Sequence, residues 1–118
     1  MLGYNENEKK IAEGGFDGIK EVLCGDDVTK SRRLLFCLDR YLDPIYQIKL
    51  DYEKEIFELL QEIVISSNND EIIDDCLQLL GDYATEPLTI LENGIENIKS
   101  NMRSQARYVL NMQTESFI

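Results

Sequence analysis

The stretch EIFELLQEIVISSNNDEIIDDCLQLLGDY, Glu55 to Tyr83, decides the fold. Ile56, Leu59, Leu60 and Ile63, preceded by Tyr52, recur at intervals of three and four and so share one face of a helix. Ile72, Ile73, Cys76, Leu79, Leu80 and Tyr83 repeat that pattern. Between the two sets Asn68, Asn69 and Asp70 offer N-caps, because a short polar side chain can accept from the free N–H groups of a first helical turn. The spacing therefore predicts two amphipathic helices joined by a short polar connection. Ile63 to Ile65 is β-branched, but it closes a helical pattern, and nowhere does the chain alternate with period two for long enough to form a strand.

Working outward, Phe16, Ile19 and Leu23 and then Leu34, Leu35, Leu38 and Leu42 show the same periodicity. Punctuation is sparse: Pro44 and Pro87 are the two prolines, and Gly14, Gly15 and Gly18 mark a helix interruption. Gly81 lies near a helix end, Pro87 suits the first turn of the next helix, and Thr85 is a candidate cap. Helices are expected near residues 5–13, 16–24, 28–42, 51–66, 70–83, 87–98 and 101–112. A shift of thirty overlays Ile72, Cys76, Leu79 and Leu80 on Met102, Ala106, Val109 and Leu110. A shift of thirty-one overlays Leu59, Leu60 and Val64 on Ile90, Leu91 and Ile95. That period suits stacked helix pairs, which cover one another's apolar faces. The expected fold is all-α, in a single domain spanning residues 1–118. It is built as three stacked antiparallel helix pairs (16–42, 51–83, 87–112) of the HEAT kind or, alternatively, as an irregular helical bundle.

At 118 residues, with 43% apolar and 30% charged side chains, the chain can build one core and is not disordered by composition. MLGYNENEKK lacks the basic and apolar regions of a secretory signal, and no apolar run approaches a membrane span, so a cytoplasmic protein without membrane contact is expected. Cys24, Cys37 and Cys76 match no zinc or redox spacing and are expected as buried free thiols. The chain has no histidine, which excludes a histidine-based triad, and it carries no phosphate-cradling glycine loop and no CxxC. NNDEIIDD, residues 68–75, puts Ile72 and Ile73 where a calcium loop needs oxygens and glycine. Neither enzyme activity nor a metal or cofactor is expected. Lys30, Arg32 and Arg33 read as a solvated helix face, since direct nucleic-acid binding is opposed by the field of an acidic protein.

That field has a definite source. The formal net charge is −11, and between Glu55 and Ile98 there are eleven acids and no base, whereas the rest of the chain balances twelve against twelve. Asp51, Glu55, Glu58 and Glu62 share one face of their helix; Glu71, Asp75, Gln78 and Asp82 share one face of the next. Like charges so spaced cost about 0.2–0.5 kcal/mol per pair, so a surface serving only solubility would be expected to mix its signs. A concentrated negative field attracts a basic partner. The residues expected to meet such a partner are Glu55, Glu58, Glu62, Asp70, Glu71, Asp74, Asp75 and Asp82.

The stretch 55–83, followed by PLTILENGIENI (87–98) and SQARYVLNM (104–112), resembles the all-helical immunity proteins of bacterial polymorphic toxin and contact-dependent inhibition systems, some of which are similar to HEAT-type repeats. The resemblance covers roughly residues 51–112 and lies in acidity, size, the DDCLQLLGDY helix and the repeated helix pair. It implies a stoichiometric inhibitor of a cognate toxin domain, often a nuclease, acting in the cytosol with no catalytic motif of its own. A HEAT-like scaffold or adaptor subunit of a larger assembly is the alternative.

Overall fold

The computed structural model describes residues 4–116, with side chains as far as Gln113. Among these residues all regular structure is helical: α1 (Glu6–Glu13), α2 (Phe16–Leu23), α3 (Val28–Leu42), α4 (Glu53–Ser66), α5 (Asp70–Tyr83), α6 (Thr89–Asn93) and α7 (Arg103–Ser116), with short 3₁₀ turns at Pro44–Tyr46, Ile95–Asn97 and Ser100–Met102. The fold is all-α, as the apolar periodicity predicts. The chain divides into two compact units, Met1–Ile56 and Phe57–Ile118, with the division falling within α4.

In the first unit α1, α2 and α3 pack on one another. Asn5 and Glu8 close a reciprocal capping box at the start of α1. Gly15 then turns the chain into α2 at φ +117°, a conformation that disfavours any side chain. Asp27 caps α3, its carboxylate accepting from the Lys30 N–H at 3.0 Å. Ala12, Ile19, Leu34, Cys37 and Leu38 are wholly buried between these helices. Polar links hold the same interior. The buried Glu8 accepts from Arg33 Nε at 2.9 Å, the Ser31 hydroxyl donates to the Val22 carbonyl at 2.9 Å, and the Tyr41 hydroxyl donates to Glu13. Arg33, read from sequence as part of a solvated face, thus has an internal partner.

The second unit follows the apolar pattern of the opening stretch. Asn69 caps α5, accepting from the Ile72 N–H at 3.0 Å, and Ile73, Cys76 and Leu80 are fully buried with Leu60 and Val64 of α4. The expected helix over 87–98 is not continuous. α6 starts only at Thr89 with no side-chain cap, so Thr85 and Pro87 lie ahead of it, and it stops at Gly94 before the 3₁₀ turn Ile95–Asn97. At the break the chain comes close to α4: a Cβ on Gly94 would lie 2.4 Å from Ile65 Cδ1. Gly81 lies near the end of α5, as expected, two residues before Tyr83, and it faces Met112 and Val109 of α7.

α7 packs on α5 and also touches α6 and the two 3₁₀ turns before it, while α6 meets α4 at Gln61 and Ile65. Two buried glutamines join these helices. Gln61 accepts from the Leu91 N–H at 3.0 Å while its amide donates to the Phe57 carbonyl, and Gln113 donates to the Leu80 carbonyl at 3.2 Å. The thirty-residue offset is visible in burial, since Cys76 and Ala106 are both wholly enclosed.

The cysteine expectation needs one correction. Cys37 and Cys76 are buried, but Cys24 is exposed at the end of α2, where the helix has already left the core. Burial pushes the Cys37 thiol up to about 11, with Glu8 adding to the effect, and raises that of Cys76 as well. Both stay protonated and unreactive at neutral pH.

Candidate partner-binding surface

The acid-only segment is carried mainly by α4 and α5, whose apolar positions are turned inward and whose carboxylates are thereby turned out. Glu55, Glu58 and Glu62 are exposed along α4. Glu71 and Asp82 are exposed on α5, and Asp74 and Asp75 are half-buried.

Asp70 is engaged within the chain. Its carboxylate accepts from Lys99 Nζ at 2.6 Å and from the Asn101 amide at 2.9 Å, and these two donors hold it below the usual carboxylate range. Glu96 takes up the two arginines of α7, lying 4.0 Å from Arg103 and 3.4 Å from Arg107. These are all three bases of residues 57–118. The unit's three basic side chains are therefore paired with Asp70 and Glu96.

The α5 edge borders a groove. Asp74, Gln78 and Asp82 stand at intervals of four and form one wall, with Leu77 and Gly81 on the next row. Across from them Ser104, Tyr108 and Met112, again at intervals of four, rise from α7 beside Gln105 and Val109. The groove encloses about 490 Å³, in the range of sites that hold a ligand or a few side chains. A shift of thirty carries one wall onto the other: Asp74 onto Ser104, Gln78 onto Tyr108, Asp82 onto Met112. The walls differ in chemistry. One presents two carboxylates, the other a largely exposed tyrosine ring and a thioether; no lining side chain is basic. Gln78 donates to Asp74 at 2.9 Å, fixing that carboxylate along the rim.

Comparison of the chain with family models, with curated proteins and with solved structures finds no match.

The site is thus defined by its own geometry. Of the residues that sequence singled out, the structure brings Asp74 and Asp82 to the groove and draws Asp70 into an internal ion pair. Glu55, Glu58, Glu62, Glu71 and Asp75 lie outside the groove lining. Sequence reasoning did not find the α7 wall, because Ser104, Gln105 and Tyr108 carry no charge and fit any polar helix face. One signal was present: a glycine inside a helix costs about 1 kcal/mol relative to alanine, so Gly81 in LLGDY implied a packing reason. A Cβ there would meet Met112 Cε at 3.4 Å and Val109 at 3.7 Å, so the glycine lies where α5 and α7 pack. Among the described residues no helix is long and apolar enough to cross a membrane, and no three His, Cys, Asp or Glu side chains are grouped to hold a metal.

Proposed function

We propose that this chain is an immunity protein, which binds the toxic domain of a cognate bacterial effector in the cytoplasm and neutralises it without catalysing a reaction. The observation that carries this reading is the asymmetry of charge: forty-four consecutive residues hold eleven acids and no base. The bases that follow, Lys99, Arg103 and Arg107, are placed at Asp70 and Glu96. A negative surface so concentrated suits a basic partner, and a nuclease domain, which must itself attract nucleic acid, presents such a surface. A scaffold or adaptor subunit of a larger assembly is the second reading, favoured by the thirty-residue offset that relates α5 to α7 and by their packing on each other. An adjacent gene for a large secreted protein with a variable C-terminal domain separates the two.

The test is co-expression with the toxin domain encoded alongside, scored by survival, followed by association rates measured across salt. Screening shortens the reach of the field from about 8 Å at physiological ionic strength to about 3 Å at 1 M, so association should slow as salt rises while dissociation changes little. Glu58→Lys, Glu62→Lys and Asp82→Lys together should slow association at least about tenfold. The control pair Asp17→Lys and Glu21→Lys, exposed on α2, should leave it near wild type. Equal protection by both sets of variants, with salt-independent binding, would overturn the reading.

A further inference from the structure

The groove between α5 and α7 has a shape and charge that specify its occupant more closely than "basic". Asp74 and Asp82 are eight residues apart on one helix, which separates their Cα atoms by about 12 Å along the axis at 1.5 Å per residue. No single cationic side chain reaches both. Between them Gln78 stands on the rim, held to Asp74, and the apolar lining is Leu77 and Gly81 on α5 with Val109 and Met112 on α7; Tyr108 stands at the opposite rim, 66% exposed. We infer that this groove seats a segment of the basic partner that carries two arginine side chains about 12 Å apart flanking one aliphatic side chain. The inference rests on the reading that the partner is basic, and adds where and by what pattern it is gripped.

Each part of the pattern has a counterpart. The aliphatic side chain lies along Leu77, Val109 and Met112 beside Gly81, whose missing Cβ keeps that row low against α7, and Met112 supplies a thioether able to adjust to its shape. The arginines extend to either side, their stems covering apolar surface while the guanidinium groups meet Asp74 and Asp82. Arginine suits the site better than lysine because its planar head pairs with a carboxylate through two hydrogen bonds and stacks on an exposed ring such as Tyr108. On a helical partner the spacing corresponds to arginines at i and i+8 with the aliphatic residue at i+4, the helix-in-groove mode. Nothing in the lining is positive, so no internal cation competes for the two carboxylates.

The probe is a synthetic helical peptide with arginines eight residues apart and a leucine midway, tested against two controls. One has the same composition with the arginines adjacent; the other replaces the leucine by serine. Binding to the full chain is followed by fluorescence anisotropy and by amide chemical shifts. The parent peptide should shift Gly81, Tyr108 and Met112, and both controls should bind at least about tenfold more weakly, as expected when a central anchor or its charge register is lost. Gly81→Leu should weaken the parent peptide to a similar degree. Because that variant adds volume beside Met112, Asp74→Asn combined with Asp82→Asn provides a second measure that leaves the packing intact, with circular dichroism checking both. Equal binding of parent and adjacent-arginine peptides, wild-type binding by Gly81→Leu, or no binding of any peptide overturns the inference. If Gly81→Leu also protects cells against the toxin domain while the Glu58, Glu62 and Asp82 reversals do not, the groove is refuted and the acidic-surface reading stands.

Discussion

The two units of this chain use charge in opposite ways. Residues 1–56 carry twelve acids and nine bases, and there two of the acids are turned to internal work. Glu8 closes a cap and takes Arg33, and Glu13 accepts from Tyr41. Residues 57–118 carry eleven acids and three bases, and their interior is joined by neutral groups instead, Gln61 reaching Leu91 and Gln113 reaching Leu80. A helix interface can be tied by an ion pair or by an amide; an amide avoids the cost of burying charge. By using glutamines inside, the second unit keeps most of its carboxylates on its surface, where they carry the field that a partner would meet.

The most forceful way to break this comparison is to remove the apolar interior that lets the second unit do without internal ions. Leu80, wholly buried between α5 and its neighbours, should cost about 2–5 kcal/mol when replaced by alanine, through lost transfer energy and the cavity left behind. Asp82→Asn, on the exposed edge of the same helix, should leave stability unchanged or slightly higher by easing repulsion. Thermal melts of the two variants check it. A loss below about 1 kcal/mol for Leu80→Ala would mean that the unit is not held by its core.

The contrast also explains what was legible in advance. Apolar spacing together with the boundary residues placed α3 and α5 at the residues observed, Val28–Leu42 and Asp70–Tyr83, because long amphipathic helices obey their own periodicity. It failed at 87–98, where the helix stops at Gly94, a residue packed against Ile65, twenty-nine residues earlier. The acid-only segment was plain from composition, yet which acids work inside the chain was not. Asp70 and Asp74 look alike in NNDEIIDD, and only the approach of Lys99 and Asn101 sets Asp70 apart. The groove was invisible for the same reason: half of it comes from α7, and a helix face does not announce its neighbour.

A middle-sized effect sharpens the difference between amide and ion. Gln61→Leu keeps volume but leaves the buried Leu91 N–H without its acceptor, so it should cost about 1–3 kcal/mol. Glu8→Gln retains an acceptor for Arg33 and for the Asn5 N–H while removing the charge. Because the Arg33 side chain is 37% exposed, solvent screens that pair and the loss should be about 1 kcal/mol or less. Urea unfolding of the two variants orders them. If Glu8→Gln proves the costlier, the first unit depends on its ion pair more than the second depends on its amide, and the contrast drawn above becomes one of strength as well as kind.

The smallest effect concerns Asp70, an acid that behaves in the second unit as acids do in the first. Lys99 and Asn101 lower its folded pKa below that of the unfolded chain, so the folded state favours the ionised form. The stability this contributes is fully present above the unfolded value, about 3.9 for an aspartate, and is lost as pH falls through the lowered folded value. Asp70→Asn should therefore depress the melting temperature slightly at neutral pH, and the gap from wild type should close as pH falls below about 4. Salt at 1 M should narrow it too, since both Lys99 and Asp70 are partly open to solvent. Melts of the two proteins across pH 2.5–7 supply the measurement. A gap that persists unchanged into acid would show that Asp70 acts through the neutral geometry of the Ser100–Met102 turn and not through its charge.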